Sequence, residues 1–261
     1  MATTISSGTN PYKKGSPPDF GTLYSGRALE FDGVVDYIST PSINMGTTHT
    51  FSCWLNTSTT QKGVMGIDDE NFPIYLNANL QIQYDATGTP VTSADSIVSG
   101  VWNHVVVTRT GTTVNYYING VIDSGGADTI NSDDALSGVF IIGGLTTTTF
   151  LYDGKLSNVQ FWDAVWSASD VQYAYTHPEK LAYNTPGTSL TSSNLKAWYP
   201  MTEGNPRSPQ TSVYDGSGGG NHGTTTFYGD ELHTLATCTS PTNEDDATTG
   251  WTNVGLSLIH I

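Results

Sequence analysis

The residues that could do chemistry fall into a few groups along the chain. Asp68, Asp69 and Glu70 form one acidic run, and Asp215 opens the glycine-rich stretch that ends at Asn221. Asp32 and Asp153 each precede a glycine, and Asp36 follows Asp32 closely. Asp-Gly is a common turn pair, so turn building alone accounts for Asp32 and Asp153. Three consecutive acids cannot share one face of a strand, which makes 68–70 a solvated loop rather than a catalytic row. His104 lies in an apolar, strand-like run, whereas His49, His177, His222 and His233 are scattered without zinc-ligand spacing. There is no Gly-x-Ser-x-Gly elbow for a serine nucleophile. There is also no glycine-rich phosphate or dinucleotide fingerprint.

A second chemistry is recognition by rings and amides. Tyr75, Tyr84, Tyr116 and Tyr117 sit on expected strands, half of which must face outward. Asn77, Asn79 and Tyr152, on expected loops, would add hydrogen-bonding groups for a hydroxyl-rich ligand. For each of these residues plain packing is the competing reading. Trp54, Trp102, Phe161 and Trp162 read as core.

The elements that would position these groups are short β runs separated by turn residues. His49–Leu55 is one; Pro73–Leu76 and Leu80–Tyr84 form a hairpin through Asn77-Ala78-Asn79. Trp102–Arg109 and Val114–Ile118 alternate, placing Val105 and Val107 on one face and Val114, Tyr116 and Ile118 on one face of the next strand. Asn119-Gly120 is the preferred type I′ hairpin pair, because both positions tolerate positive φ. Leu156, Val159 and Phe161 break strict parity, which predicts a bulge near Asn158. Ser167–Tyr175 is the one expected helix, with Ser167 as N-cap and Asp170 closing a capping box.

Bulk composition narrows the partners. The 261 residues carry 9 Lys+Arg against 24 Asp+Glu, a formal charge of −15. Nucleic acid and anionic membrane surfaces are therefore excluded as partners, since both need a basic patch. Two cysteines, Cys53 in an apolar run and Cys238 in a polar one, are too few for a disulfide scaffold. The start of the chain has no apolar h-region, and no apolar run reaches the length of a membrane span.

The motifs themselves resemble a known family. Ala28-Leu29-Glu30-Phe31-Asp32-Gly33 with Asp36-Tyr37-Ile38, Phe51–Leu55, Trp102–Thr108, Tyr116–Gly120 and Tyr152–Trp162 occur in the order of laminin-G-like (concanavalin A-like lectin/glucanase) domains. The resemblance spans roughly 150 residues. It implies an all-β fold: an antiparallel β-sandwich jelly roll, with one short helix near 167–175. It also implies a Ca²⁺ ion beside the two Asp-Gly turns, where Asp32, Asp36 and Asp153 match the family's positions. Glucanases of this family carry three acids alternating along one strand, and no such run exists here, so the resemblance implies binding rather than catalysis.

The expected organisation has four parts. Residues 1–27 are an extended arm or linker, 28–180 the sandwich, 181–230 a connector with additional strands, and 231–261 a polar tail resembling a truncated fragment. In 195–224 lies a piece that usually precedes such a domain, and it either packs on the first sandwich or opens a second copy. This order resembles surface proteins of tailed bacteriophages. The expected function is a non-catalytic carbohydrate- or surface-binding module, on a virion or outside the cell, whose partner is a glycan or cell-surface polysaccharide. The alternatives are a decoration or adhesion protein that contacts other virion proteins and forms a homo-oligomer, and an accessory domain of a polysaccharide-degrading enzyme.

Overall fold

The computed structural model describes residues 27–67, 71–86, 88–178, 180–201, 212–226 and 235–237. The strands are β1 (Arg27–Asp32), β2 (Tyr37–Gly46), β3 (Thr48–Asn56), β4 (Lys62–Gly66), β5 (Phe72–Leu76), β6 (Gln81–Asp85) and β7 (Val91–Ser96). They continue with β8 (Asn103–Thr110), β9 (Thr113–Ile118), β10 (Val121–Ile122), β11 (Asp128–Thr129), β12 (Leu136–Ile142) and β13 (Asp153–Trp162). After the helix α1 (Ala168–Thr176) come β14 (Leu195–Tyr199), β15 (Ser212–Val213), β16 (Gly223–Thr226) and β17 (Leu235–Thr237).

These strands make two antiparallel sheets. The first runs β10-β9-β8-β3-β13-β1-β17, with β11 also on β9 and β14 on β13; the second runs β15-β16-β2-β12-β4-β5-β6-β7. The sandwich read from the sequence is the fold observed. Alternation builds its core: Val105, Val107, Val114 and Tyr116 point inward from the first sheet to meet Ile38, Phe140, Ile74, Leu76, Ile82 and Tyr84 from the second. Phe51, Phe140 and Phe161 fill the centre with tilted and edge-on ring contacts at 5.0–5.6 Å.

The local signals hold as well. Asn119 and Gly120 take φ of 52° and 79°, as a type I′ turn requires. Asn158 has φ 48° at a register shift between Ser157 and Gln160, the bulge expected from the broken parity. Ser167 caps α1 with the reciprocal Asp170 bond in place.

The outer face of the first sheet is covered. Val106, Tyr117 and Trp162, alternating with the core positions, meet Trp166, Val171, Ala174, Leu181 and Leu190 in a second apolar cluster. Helix α1 and the connector thus add a third layer. The segment after the connector joins the same sandwich: β14 pairs with β13 and β16 with β2. Trp198 donates its indole N–H to Asn158 Oδ1 at 2.7 Å, tying β14 to the bulge. Asp215 holds the glycine loop closed, with Oδ1 accepting from the amides of Trp198 and Ser217, and Oδ2 from Ser217 Oγ and the Asn221 amide. Both carboxylate oxygens of Asp215 are therefore engaged within the protein.

In the expected polar tail, Leu235–Thr237 forms a strand on β1. Residues 1–26, Asp68-Asp69-Glu70, His233, Cys238 and the final residues lie outside the described ones. Cys53 is a buried free thiol whose pKa burial pushes up. Among the described residues, no helix is long and apolar enough to cross a membrane.

Candidate functional site

The structure brings the three acids of the expected cation site to one end of the sandwich. Asp32 and Asp153 are cross-strand partners on β1 and β13. Asp32 Oδ1 accepts from the amides of Val34, Val35 and Asp36, and Asp36 Oδ2 accepts from the Asp32 amide at 3.0 Å. The Asp153 carbonyl accepts from Thr57 Oγ1 and Thr59 Oγ1. This is turn chemistry, in which carboxylates take up backbone donors that a tight turn leaves unpaired. Among the described residues no group of three or more His, Cys, Asp and Glu side chains is placed to hold a metal.

Of the three residues expected to meet a ligand, two build a turn and one is buried. Asn77 Oδ1 accepts from the amides of Asn79 and Gln81, and its Nδ2 donates to Gln81 Oε1, so its side chain shapes the β5–β6 hairpin. Asn79 is exposed at that turn. Tyr152 corrects the expectation: it is 0% exposed, its ring meets Phe31 edge-on, and its hydroxyl donates to the Asn56 carbonyl at 3.2 Å. Its apolar neighbours in the core claim it, leaving no face for a ligand.

Rings and amides do gather elsewhere, on the outer face of the second sheet. Ile74, Leu76, Ile82 and Tyr84 face the core, so the alternating Tyr75, Gln81 and Gln83 face outward. Tyr75 pairs with Gln83 and Gln83 with Thr92, giving one row across β5, β6 and β7. Gln83 Nε2 donates to Thr92 Oγ1 at 2.9 Å, and Gln81 Nε2 to the Ala94 carbonyl at 3.1 Å, so both amides are held in fixed orientations. Tyr75 is half-buried, whereas Tyr84, Tyr116 and Tyr117 are buried.

The loop from Leu145 to Leu151 completes this face. Phe150 donates no side chain to the core; it is 50% exposed and meets Tyr75 edge to face at 5.5 Å and 86°. Phe72 is buried and backs Tyr75 at a ring distance of 5.6 Å. The loop can lie this close to β4 because β4 carries glycines there: a methyl on Gly63 or Gly66 would collide with the Leu145 backbone. The Gly63 amide donates to the Phe150 carbonyl at 2.7 Å. The threonines fold the tip, with Thr146 Oγ1 accepting from the amides of Thr148 and Thr149. Phe150 itself has φ 50°, in the left-handed region where a non-glycine residue costs about 1–2 kcal/mol. A strained, half-exposed aromatic held by a built loop is the kind of feature that marks a functional surface.

Sequence patterning signalled half of this site. Alternation marks Tyr75 and Gln83 as neighbours on one face, but nothing local in Leu145–Leu151 shows that Phe150 lands beside Tyr75. The cue available was the glycine spacing in Lys62-Gly63-Val64-Met65-Gly66, which marks a close backbone approach.

A second buried polar group has a structural role. Arg109 is fully buried, with Nε donating to the Gly111 carbonyl at 2.6 Å, Nη1 to Tyr84 Oη at 3.2 Å, and Asp133 3.6 Å away. His49 Nε2 lies 3.0 Å from the same hydroxyl, and burial followed by the Arg109 charge pulls its pKa down to about 3. His104 is 2% exposed and packs against the Trp54 and Tyr175 rings, which also stack on each other, and burial pulls its pKa to about 3 as well. Both imidazoles are neutral core groups at ordinary pH.

Solved structures are similar to this chain. One is a Bacteroides ovatus protein described as a candidate carbohydrate binding protein, 17% identical with a TM-score of 0.59, aligned over 82% of this chain and 60% of that one. The chain thus spans 60% of that protein's length. Another is the heptameric SAP-like pentraxin of Limulus polyphemus, 15% identical with a TM-score of 0.43, aligned over 57% of this chain and 81% of that one. A third is domain 4 of the Geobacillus stearothermophilus extracellular arabinanase AbnA, solved with arabinotriose, 18% identical with a TM-score of 0.40, over 49% and 68% of the two chains. No curated protein matches the sequence. Residues 32–172, more than half of the chain, match the family model of the concanavalin A-like lectin/glucanases, and with its two-sheet sandwich the chain belongs to that superfamily.

Proposed function

We propose that the protein is a non-catalytic glycan-binding module, whose binding face is the outer surface of the second sheet around Tyr75 and Phe150. The observation that carries this reading is the exposed Phe150 ring, held against Tyr75 at a backbone angle that disfavours any side chain. Sugar rings present apolar C–H faces and a rim of hydroxyls. Two rings at right angles offer a surface for the former, and the fixed amides of Gln81 and Gln83 offer partners for the latter. The likeness in fold to a Bacteroides ovatus protein described as a candidate carbohydrate binding protein supports the ligand class. A cell-surface polysaccharide, met outside the cell or from a virion, is the partner this chemistry suits.

An array of surface glycans and plant and microbial polysaccharides tests the reading. Wild-type protein binds one glycan class, and Tyr75→Ala removes that binding while the chain still melts cooperatively. Absence of any binding by wild type would leave the decoration or adhesion role in its place.

A further inference from the structure

The face opposite this site carries a groove of its own. Helix α1 lies on the outer side of the first sheet through Val171 and Ala174. Its other side, with the segment that follows, borders an open depression of about 600 Å³ lined in part by Gln172, Tyr173, Thr176, His177, Thr185 and Pro186. Tyr173 and His177, one helical turn apart, stack at 4.3 Å and 16°. The stack is fixed from within: His177 Nδ1 lies 3.2 Å from the Tyr173 carbonyl and 2.9 Å from Thr176 Oγ1. A carbonyl only accepts, so Nδ1 carries the proton in the neutral ring and Nε2 is left as an acceptor. Thr176 turns its hydroxyl proton to the Gln172 and Tyr173 carbonyls, leaving its half-buried oxygen as an acceptor, whereas the buried Thr185 hydroxyl donates to the Ala182 carbonyl within the fold. The Gln172 side chain is exposed and supplies both an acceptor and donors.

We propose that this groove is a second binding site, and that it takes an uncharged, hydroxyl-rich ligand: a neutral saccharide. The groove combines a rigid aromatic pair and a proline with amide, hydroxyl and imidazole groups, and none of these six residues carries a fixed charge. The ligand must be rich in donors, because the fixed Thr176 oxygen and His177 Nε2 both accept. Hydroxyls meet that demand; carboxylates and sulfates, which only accept, do not. An anionic ligand would also approach a chain of formal charge −15.

The location adds a consequence. Tyr75 and Phe150 lie on the outer face of the second sheet, whereas α1 covers the outer face of the first. The two sites point in opposite directions through the thickness of the sandwich. One short saccharide cannot span both, so the molecule is bivalent and bridges separate polysaccharide chains or distant parts of one chain.

Affinity electrophoresis through gels containing arabinan, xylan, mixed-linkage β-glucan or polygalacturonate tests this, followed by calorimetry with a short oligosaccharide of whichever polymer retards the protein. The variants are Tyr75→Ala/Phe150→Ala, Gln172→Ala/Tyr173→Ala and the two combined, with Gln172→Ala alone as the mildest surface change. Wild type should bind two oligosaccharides, each double variant one, and the combined variant none. Each double variant should lose polymer retardation by about 10²-fold through lost avidity, and polygalacturonate should retard none of them. A wild-type stoichiometry of one, abolished by Tyr75→Ala/Phe150→Ala and untouched by Gln172→Ala/Tyr173→Ala, overturns the second site and leaves the first standing. The reverse pattern keeps the groove and removes the first. Retardation by polygalacturonate alone, or by none of the four polymers, overturns the neutral-saccharide assignment.

Discussion

Phe150 meets Tyr75 edge to face at 5.5 Å and 86°, joining a loop to a strand of the second sheet. Phe150 is half exposed, and its φ of 50° is a cost that only glycine escapes. Phe150→Gly should therefore leave the melting midpoint unchanged or raise it, by up to about 1 kcal/mol of stability, while weakening glycan binding. Thermal melts and a binding titration on the same sample check both halves. A large loss of stability would show that the ring serves packing instead.

The loop under Phe150 depends on two glycines. Gly66→Ala puts a methyl into the Leu145 backbone, so the loop must lift from β4. The expected result is a loss of about 2–4 kcal/mol in chemical denaturation, in the range of other overpacking changes, together with loss of binding. Gly46→Ala is the contrast for space alone: nothing lies near its missing methyl, although its φ of 62° still disfavours alanine. The Gly66 change should be the more damaging of the two.

Asn158 joins the late segment to the sandwich. Its Oδ1 accepts from Trp198 Nε1 and Gln160 Nε2, and its Nδ2 donates to the Pro178 carbonyl. Asn158→Ala leaves these partners buried without it and places alanine at φ 48°. A loss of about 2–4 kcal/mol is expected. Trp198→Phe, which removes one donor and keeps a smaller aromatic ring, should cost less. Equal losses in urea melts would mean that the bond network contributes nothing beyond ring burial.

His49 and His104 are both held near pKa 3, well below the ordinary 6.5. The unfolded chain therefore binds protons that the folded chain refuses between about pH 6.5 and 3. Their contribution to stability is complete above that window and declines as pH falls through it, by up to about 1.4 kcal/mol per pH unit for each ring. Denaturant midpoints at pH 7.5, 6 and 4.5 should fall in that order, and His104→Phe should flatten the dependence. A midpoint that rises on acidification would contradict the burial of both rings.

Asp32 caps its own turn, accepting from three successive amides. Asp32→Ala should cost about 1–2 kcal/mol, and the loss should be the same in calcium and in chelator. A midpoint for wild type that climbs with calcium concentration would support the ion implied by the family resemblance, because a ligand that binds only the folded state stabilises it with the logarithm of its concentration once the site fills.

What the sequence made legible was local. The I′ hairpin at Asn119-Gly120, the capping box at Ser167 and the bulge at Asn158 each depend on residues a few positions apart, and alternation sorted Val105 from Val106 without reference to anything distant. What stayed hidden depends on tertiary neighbours. Tyr152 follows a loop and looked exposed, yet Phe31 and the Asn56 carbonyl enclose it. Phe150, in a run of threonines with no period, acquires meaning only when the loop crosses β4. The cover on the first sheet was equally silent, because Tyr117 and Val106 read as ordinary outward positions until Trp166 and Val171 pack on them.

Isotope-edited NMR of the protein with a bound oligosaccharide reports the site atom by atom. Sugar C–H protons should show contacts to the Tyr75 and Phe150 rings, with the Gln81 and Gln83 side-chain amides shifting on titration. Saturable binding with no change at those four residues would contradict the assignment of the second sheet's outer face.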